Sequence, residues 1–156
     1  MNIYIRQADI EDAKAISDLV VAMTDKYVCP TCDPTVRDML LGSMSTERIE
    51  QYLSEGYLYV VALDCKEKVI GVAGMRDYSH LFHLFVDDEN QGKGLSRKLW
   101  DKVKEAALKN GNCGRFTVNS AVNAENVYLR FGFKRVDGIR NRNGMVDIPM
   151  ILDKVY

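Results

Sequence analysis

The heptapeptide His80-Leu81-Phe82-His83-Leu84-Phe85-Val86 runs through an acidic turn into Gly92-Lys93-Gly94, where an amphipathic stretch begins. A run that is mostly apolar on both faces belongs in the middle of a sheet, covered by helices on either side. Leu95, Leu99, Val103 and Ala106/Ala107 then recur at helical spacing and predict a helix of about 15 residues opened by the two glycines. A central strand leading through glycines into a helix restricts the chain to a layered sheet with helices packed on it.

The flanking segments build outwards from that unit. Residues 2–6 form a short strand, and Asp9 caps a helix with Asp12 three positions on, as in a capping box. Ala13, Ile16, Leu19, Val20 and Met23 supply the apolar stripe of this helix. Residues 24–45 hold two prolines and two cysteines and show no period, whereas Thr46–Ser54 is a second short helix. Tyr57–Leu63 and Val69–Met75 form a hairpin around Asp64–Lys68. After the central unit come a strand at Arg115–Val118, a helix at Ala124–Phe131, and strands at Phe133–Val136 and Met145–Leu152. Asn141-Arg142-Asn143-Gly144 carries an Asn-Gly turn signal between the last two. The expected fold is α/β (α+β): a mixed, mostly antiparallel central sheet of about seven strands flanked by helices, in one domain over residues 1–156.

Composition narrows the partners. Lys+Arg 21 against Asp+Glu 22 gives a net charge of -1, without the basic excess of a nucleic-acid binder. No apolar run approaches the ~20 residues of a membrane span, and Met1–Arg6 lacks the basic-then-apolar pattern of a signal peptide. A cytoplasmic protein with no membrane partner is expected, and a homodimer is left open. Cys29 and Cys32 form the only close pair among four cysteines. A structural zinc site commonly needs two such pairs, so no metal is expected. A metal or redox role for Cys29/Cys32 is the alternative from another class.

The segment Gln91-Gly92-Lys93-Gly94-Leu95-Ser96-Arg97 has the chemistry of an anion site. The first backbone N–H groups of a helix lack internal partners, and the helix dipole favours negative charge there. Gly92 and Gly94 allow close approach and unusual torsions, and Lys93 could add a point charge. The spacing is not that of a P-loop, and Arg97 stands where a dinucleotide fingerprint needs its third glycine. On spacing alone an ordinary strand-to-helix turn explains the segment equally well.

Three stretches resemble the GNAT superfamily of N-acetyltransferases in the right order. Ile5–Ala13 resembles the first strand and helix of the family. Gln91–Ser96, five residues after Val86, matches its [R/Q]-x-x-G-x-[G/A] loop except for Ser96, a small residue whose hydroxyl could bond a phosphate. Tyr128-Leu129-Arg130-Phe131-Gly132-Phe133 resembles its late Tyr-x-x-x-Gly-Phe signature.

The resemblance implies acetyl-CoA as co-substrate and direct attack by an amine in a ternary complex. It places Leu84, Phe85 and Val86 along the pantetheine, which lies in a gap beside the central strand. Residues 91–97 hold the pyrophosphate. Where the family often has an Asn, this chain has Ala121, so Asn119 and Asn123 are the nearby substitutes, with Asn123 taken as the cofactor contact. The Val86 N–H is implied to bond the carbonyl oxygen, and Tyr128 to donate to the departing sulfur. His80 takes the position of the catalytic glutamate in the histone-acetylating branch, and with a pKa near ~6.5 it could draw the proton from the amine. On one strand face His80 would share its side with residues 82, 84 and 86, about 13 Å along from Leu84, so a water bridge is expected. His83 would face the other way, without a role. A lysine-like amine has a pKa of ~10.4, so its deprotonation at pH 7 costs about 4.6 kcal/mol. The acceptor, a small molecule or peptide amine, is framed by residues 24–45, whose mixed charges show no preference. A catalytically silent acyl-CoA-binding module and transfer of a longer acyl group are further alternatives.

Overall fold

The computed structural model describes residues 2–153. It begins with β1 (Tyr4–Gln7), followed by α1 (Ala13–Met23), α2 (Arg37–Gly42) and α3 (Thr46–Ser54). Next come β2 (Leu58–Leu63), β3 (Val69–Arg76), β4 (His80–Val86), α4 (Leu95–Lys109), β5 (Phe116–Ser120) and α5 (Glu125–Arg130). The described chain closes with β6 (Lys134–Arg135), β7 (Arg140–Arg142) and β8 (Met145–Leu152).

The eight strands run in the order β1-β2-β3-β4-β5-β8-β6, with β7 paired to β8. Every pairing is antiparallel except β4 with β5. That parallel pair is joined by α4, because parallel neighbours need a crossover connection. The mixed sheet with helices on both faces is as expected, with one strand more: β7, three polar residues, exists only through its pairing with β8.

Each face of the sheet has its own core. Leu95, Leu99, Trp100, Val103 and Ala107 of α4 pack with Leu58, Val60, Ala62, Leu81, Val86, Phe116 and Val118. Ala13, Ile16 and Val20 of α1 and Ile49 and Tyr52 of α3 pack on the opposite face with Tyr59, Val61, Leu63 and Val72. Each fully buried Leu, Ile or Val contributes roughly 1.5–3 kcal/mol. The Asp9/Asp12 capping box forms, on a single 3₁₀ turn that leads into α1. The segment after α1 is not irregular throughout. Thr24–Val28 widens into a π-helical turn, two 3₁₀ turns succeed it at Pro30 and Pro34, and α2 ends it.

Two irregularities break the sheet around β4. The β4/β5 ladder holds only at His80–Thr117 and Leu81–Val118, after which the strands part. In β4, His83 pairs with Gly74 and Leu81 with Met75, so Phe82 is the extra residue of a bulge.

Candidate functional site

The gap between β4 and β5 exposes backbone in the middle of the sheet. The Asp87 amide donates to the Ile70 carbonyl at 3.0 Å, and the register pairs Val72 with Phe85 and Gly71 with Val86. Alternation in an antiparallel ladder therefore turns the Phe85 amide toward β3 and those of Leu84 and Val86 into the gap. The Val86 carbonyl is taken by the Gln91 side chain, whose Nε2 donates to it at 3.0 Å. The Val86 N–H and both backbone groups of Leu84 are left facing the gap.

The gap leads directly to the start of α4. Gly92 and Gly94 both have φ of +76°, and a Cβ built on either meets nothing within 4 Å. Their backbone is left-handed and their approach open. The first helical hydrogen bond of α4 runs from the Lys98 amide to Gly94, so the amides of Leu95, Ser96 and Arg97 are unpaired within the helix. Arg97 lies over the Phe131 ring at 5.4 Å and donates to the Arg130 carbonyl at 3.4 Å. Of the residues expected to cradle an anion, Gln91, Gly92, Gly94, Leu95, Ser96 and Arg97 line the cleft, and Lys93 does not.

The cleft, about 1130 Å³, passes through the sheet. At one end it is walled by Leu84, Val86, Leu95, Val118 and Tyr128, which pack on the α4 side. At the other it is walled by Met23, Leu40, Met44, Phe82, His83 and Phe85, on or against the α1 side, with Arg76 and Arg142 beside them. The π-helical turn bridges the two strands that bound the gap. Lys26 Nζ and the Tyr27 hydroxyl each lie 2.5 Å from Asp88, just after β4, and the Tyr27 carbonyl accepts from Asn123 Nδ2 at 2.9 Å, just after β5. Asn123 thus lines the cleft with its amide nitrogen already engaged. Asn119 is bonded to Arg140 instead.

Tyr128 lies on α5 against Phe131 and Phe133. It is 8% exposed, and its hydroxyl, raised in pKa by burial, has no hydrogen-bond partner among the described residues. His80 Nδ1 lies 2.8 Å from Thr117 Oγ1. Burial first, then the charges of Arg76 and Arg140, push its pKa down to about 4.

The bulge corrects the expected facing of β4. Residues 80, 82, 84 and 86 do not share a side: Leu84 and Val86 pack toward α4, whereas Phe82 stacks edge-on against Tyr52 and Tyr57 on the α1 side. Nor do the two histidines oppose each other. His83 is turned to the α1 side, where Nδ1 lies 2.7 Å from the Tyr59 hydroxyl. His80 is on that side too, since it alternates with Leu81 and bonds Thr117, whose neighbours Phe116 and Val118 belong to the α4 core.

Several lining residues carry no signal in the sequence: Thr24, Tyr27, Arg76, His83 and Arg142. Gly71 and Gly74, two glycines inside an apolar strand, do signal close approaches nearby. Cys32 Sγ meets the Val146 backbone, with Cys29 in the adjoining turn, and among the described residues no group of three His, Cys, Asp or Glu side chains could hold a metal ion. No described helix is long and apolar enough to cross a membrane.

A family model described as Acetyltransferase (GNAT) domain matches residues 27–154. Among solved structures, the fold is similar to a GCN5-related N-acetyltransferase from Rhodopseudomonas palustris, with a TM-score of 0.82 and 18% identity over 99% of this chain and 97% of that one. The PaiA N-acetyltransferase from Thermoplasma acidophilum, solved with coenzyme A, matches with a TM-score of 0.80 and 16% identity over 99% and 100%. The putative acetyltransferase YncA from Salmonella typhimurium, solved with acetyl-CoA, matches with a TM-score of 0.67 and 22% identity over 98% and 94%. With a matched family model spanning most of its length and this split-sheet architecture, the chain belongs to the GNAT acetyltransferase family.

Proposed function

We propose that the protein is an acetyl-CoA-dependent N-acetyltransferase in which an amine attacks the acetyl group directly, both substrates being bound in one cleft. The observation that carries this reading is the continuity of the site: anion-binding amides at the start of α4, free strand amides at Leu84 and Val86, and a cleft that crosses the sheet to a separate chamber. Bound CoA thioester supplies an activated acetyl carbonyl with a good leaving group.

Each residue has its own task. Leu84 and Val86 bond an extended amide arm as a neighbouring strand would, while Phe85 contributes only its place in the strand. Gly92, Gly94 and the amides of Leu95, Ser96 and Arg97 bind the pyrophosphate, and Gln91 braces the turn by capping Val86. The Val86 N–H is aimed into the gap, where it can stabilise charge developing on the carbonyl oxygen. The partnerless Tyr128 hydroxyl donates to the departing sulfur.

His80 has a narrower part than its position suggests. With a pKa of about 4 it is neutral at any working pH. Moving a proton to it from a lysine-like amine is uphill by about 9 kcal/mol, at 1.36 per pH unit. The amine proton therefore passes through cleft water to the bulk solvent, at the cost of about 4.6 kcal/mol that pH 7 sets for a lysine-like amine, and His80 orients that water. A limb near pH 6.5 in kcat/KM does not arise from His80 in these surroundings.

The test is an amine panel with acetyl-CoA, reading free thiol release, alongside a thermal shift with millimolar CoA. Stabilisation by CoA together with amine-dependent release is expected. No stabilisation by CoA or acetyl-CoA overturns the proposal.

A further inference from the structure

The bulge at Phe82 gives His83 a setting that the proposed reaction does not use. Tyr59, Gly74 and His83 lie in one cross-strand row, Tyr59 opposite Gly74 and Gly74 opposite His83. A Cβ on Gly74 would stand 2.3 Å from the Tyr59 ring. The missing side chain is what lets that ring lie across β3 and bring its hydroxyl to 2.7 Å from His83 Nδ1.

Counting hydrogens fixes the tautomer. Tyr59 is 1% exposed, and its hydroxyl has no other partner among the described residues. If Nδ1–H donated to the hydroxyl oxygen, the hydroxyl proton would be buried with no acceptor, an arrangement native interiors avoid. Tyr59 therefore donates to Nδ1, and the proton of the neutral ring sits on Nε2. Neutrality comes from the surroundings: the Phe82 ring lies tilted against the imidazole with centroids 4.2 Å apart, Phe85 lies at 6.1 Å, and burial pushes the pKa down to about 3.

Nε2 is not sealed off from the cleft, although His83 as a whole is only 3% exposed. Thr24 Oγ1 and Trp100 Nε1 are the described side-chain polar atoms that are both sealed and unpartnered. Nε2 of His83 also lacks a partner but is not among them, and the residue lines the cleft. It does so in the chamber on the α1 side, across the sheet from the phosphate loop, with Arg76 and Arg142 at the same end. Arg142 is bound to Asp147, which also lines the cleft and is shared with Arg140, and Arg76 lies 3.9 Å from Asp77, so the guanidinium groups are partly neutralised and the fixed N–H is what favours an oxygen on whatever molecule enters.

We infer that His83 presents its Nε2–H to the acceptor as a hydrogen-bond donor, positioned by Tyr59, and that the acceptor carries a carbonyl or carboxylate oxygen close to its amine. This rests on the proposed reaction only in assigning the α1-side chamber to the acceptor.

The chain has two histidines, so ¹⁵N-histidine labelling resolves both by NMR. In the CoA-saturated protein His83 should show the Nε2–H tautomer, and Tyr59→Phe should shift it toward a mixture. Glycinamide, which carries a carbonyl beside its amine, should move the His83 Nε2 resonance. Propylamine at the same concentration should not. Tyr59→Phe should weaken glycinamide binding roughly fivefold to tenfold, the effect of one neutral hydrogen bond, with CoA affinity unchanged. A wild-type Nδ1–H tautomer overturns the inference without any variant. So does an equal response to both amines, or to neither. A response on exchanging CoA for acetyl-CoA, with none to glycinamide, overturns it by moving the donor to the thioester. Failure of CoA to bind at all counts against the proposed reaction instead, and leaves the tautomer result standing.

Discussion

Replacing Gly94 by alanine separates what the glycine loop before α4 costs the fold from what it would do for a ligand. Gly94 has φ +76° and ψ 12° at the cap of α4, and an added Cβ meets no atom within 4 Å. The methyl therefore clashes with nothing, and its penalty is conformational: about 1–2 kcal/mol for a left-handed L-residue. Reduced freedom of the unfolded chain offsets roughly 0.4–1 kcal/mol of that. A net loss of about 1 kcal/mol should lower Tm by roughly 3 °C in a domain of this size. Ligand binding should suffer more, because the same methyl fills the open approach to the amides of Leu95, Ser96 and Arg97. Each charge-assisted hydrogen bond lost there is worth about 1.5–3 kcal/mol, so one or two lost bonds weaken CoA by at least roughly tenfold. Melting curves without ligand and calorimetric titration with CoA measure the two terms separately. An unchanged Kd would show that the anion is held elsewhere. A fall in Tm beyond about 10 °C would show that the space around Gly94 is not open.

The same geometry sets three more expectations. Tyr128→Phe keeps the ring packing and removes a hydroxyl that bonds nothing among the described residues, so Tm and acetyl-CoA affinity should hold while kcat and kcat/KM fall together; a fully active variant, with chemistry rate-limiting, would return Tyr128 to the core. Gly74→Ala forces the Tyr59 ring off β3 and should destabilise the fold by about 1–3 kcal/mol, read as a lower denaturation midpoint at unchanged m-value. Acid should destabilise the protein through His83. Its folded pKa is depressed from 6.5 to about 3, so the unfolded chain takes up the proton first, and stability present above pH 6.5 is lost as pH falls toward 3. At 1.36 kcal/mol per pH unit that is as much as ~5 kcal/mol, and His83→Gln should flatten this part of the pH–stability curve; an unaltered slope would refute it.

How much was legible depended on whether the signal was local. The unit from His80 to Lys109 could be placed because its signals lie along the chain: a run apolar on both faces, two glycines, then Leu95, Leu99, Val103 and Ala107 at helical spacing. The capping box at Asp9 and Asp12 was legible for the same reason. The bulge was not. In a strand apolar on both faces no alternation betrays a slip, and residues 83–86 change sides relative to His80 without breaking a pattern. The Tyr59–His83 bond joins residues 24 apart and depends on a third strand between them. Strand β7 was missed because Arg140-Asn141-Arg142 has no strand-like composition. It is held by pairing with β8 and by Arg140 and Arg142 on the buried Asp147. The π-helical turn at Thr24–Val28 runs into Cys29-Pro30, where proline hides the helical period that precedes it.

The parting of β4 from β5 also has a bearing on solubility. Sheets usually protect their lateral edges with charge, prolines or bulges, because an unpaired row of amides and carbonyls recruits strands from other molecules. Here such a row lies inside the sheet, flanked by the apolar side chains of Leu84 and Val86. The groups that would accept an extended arm would equally accept an extended peptide from a neighbouring copy. A ligand seated there acts as a temporary strand and closes the edge. The ligand-free protein should therefore aggregate sooner than the CoA-saturated protein, even at temperatures where both remain folded.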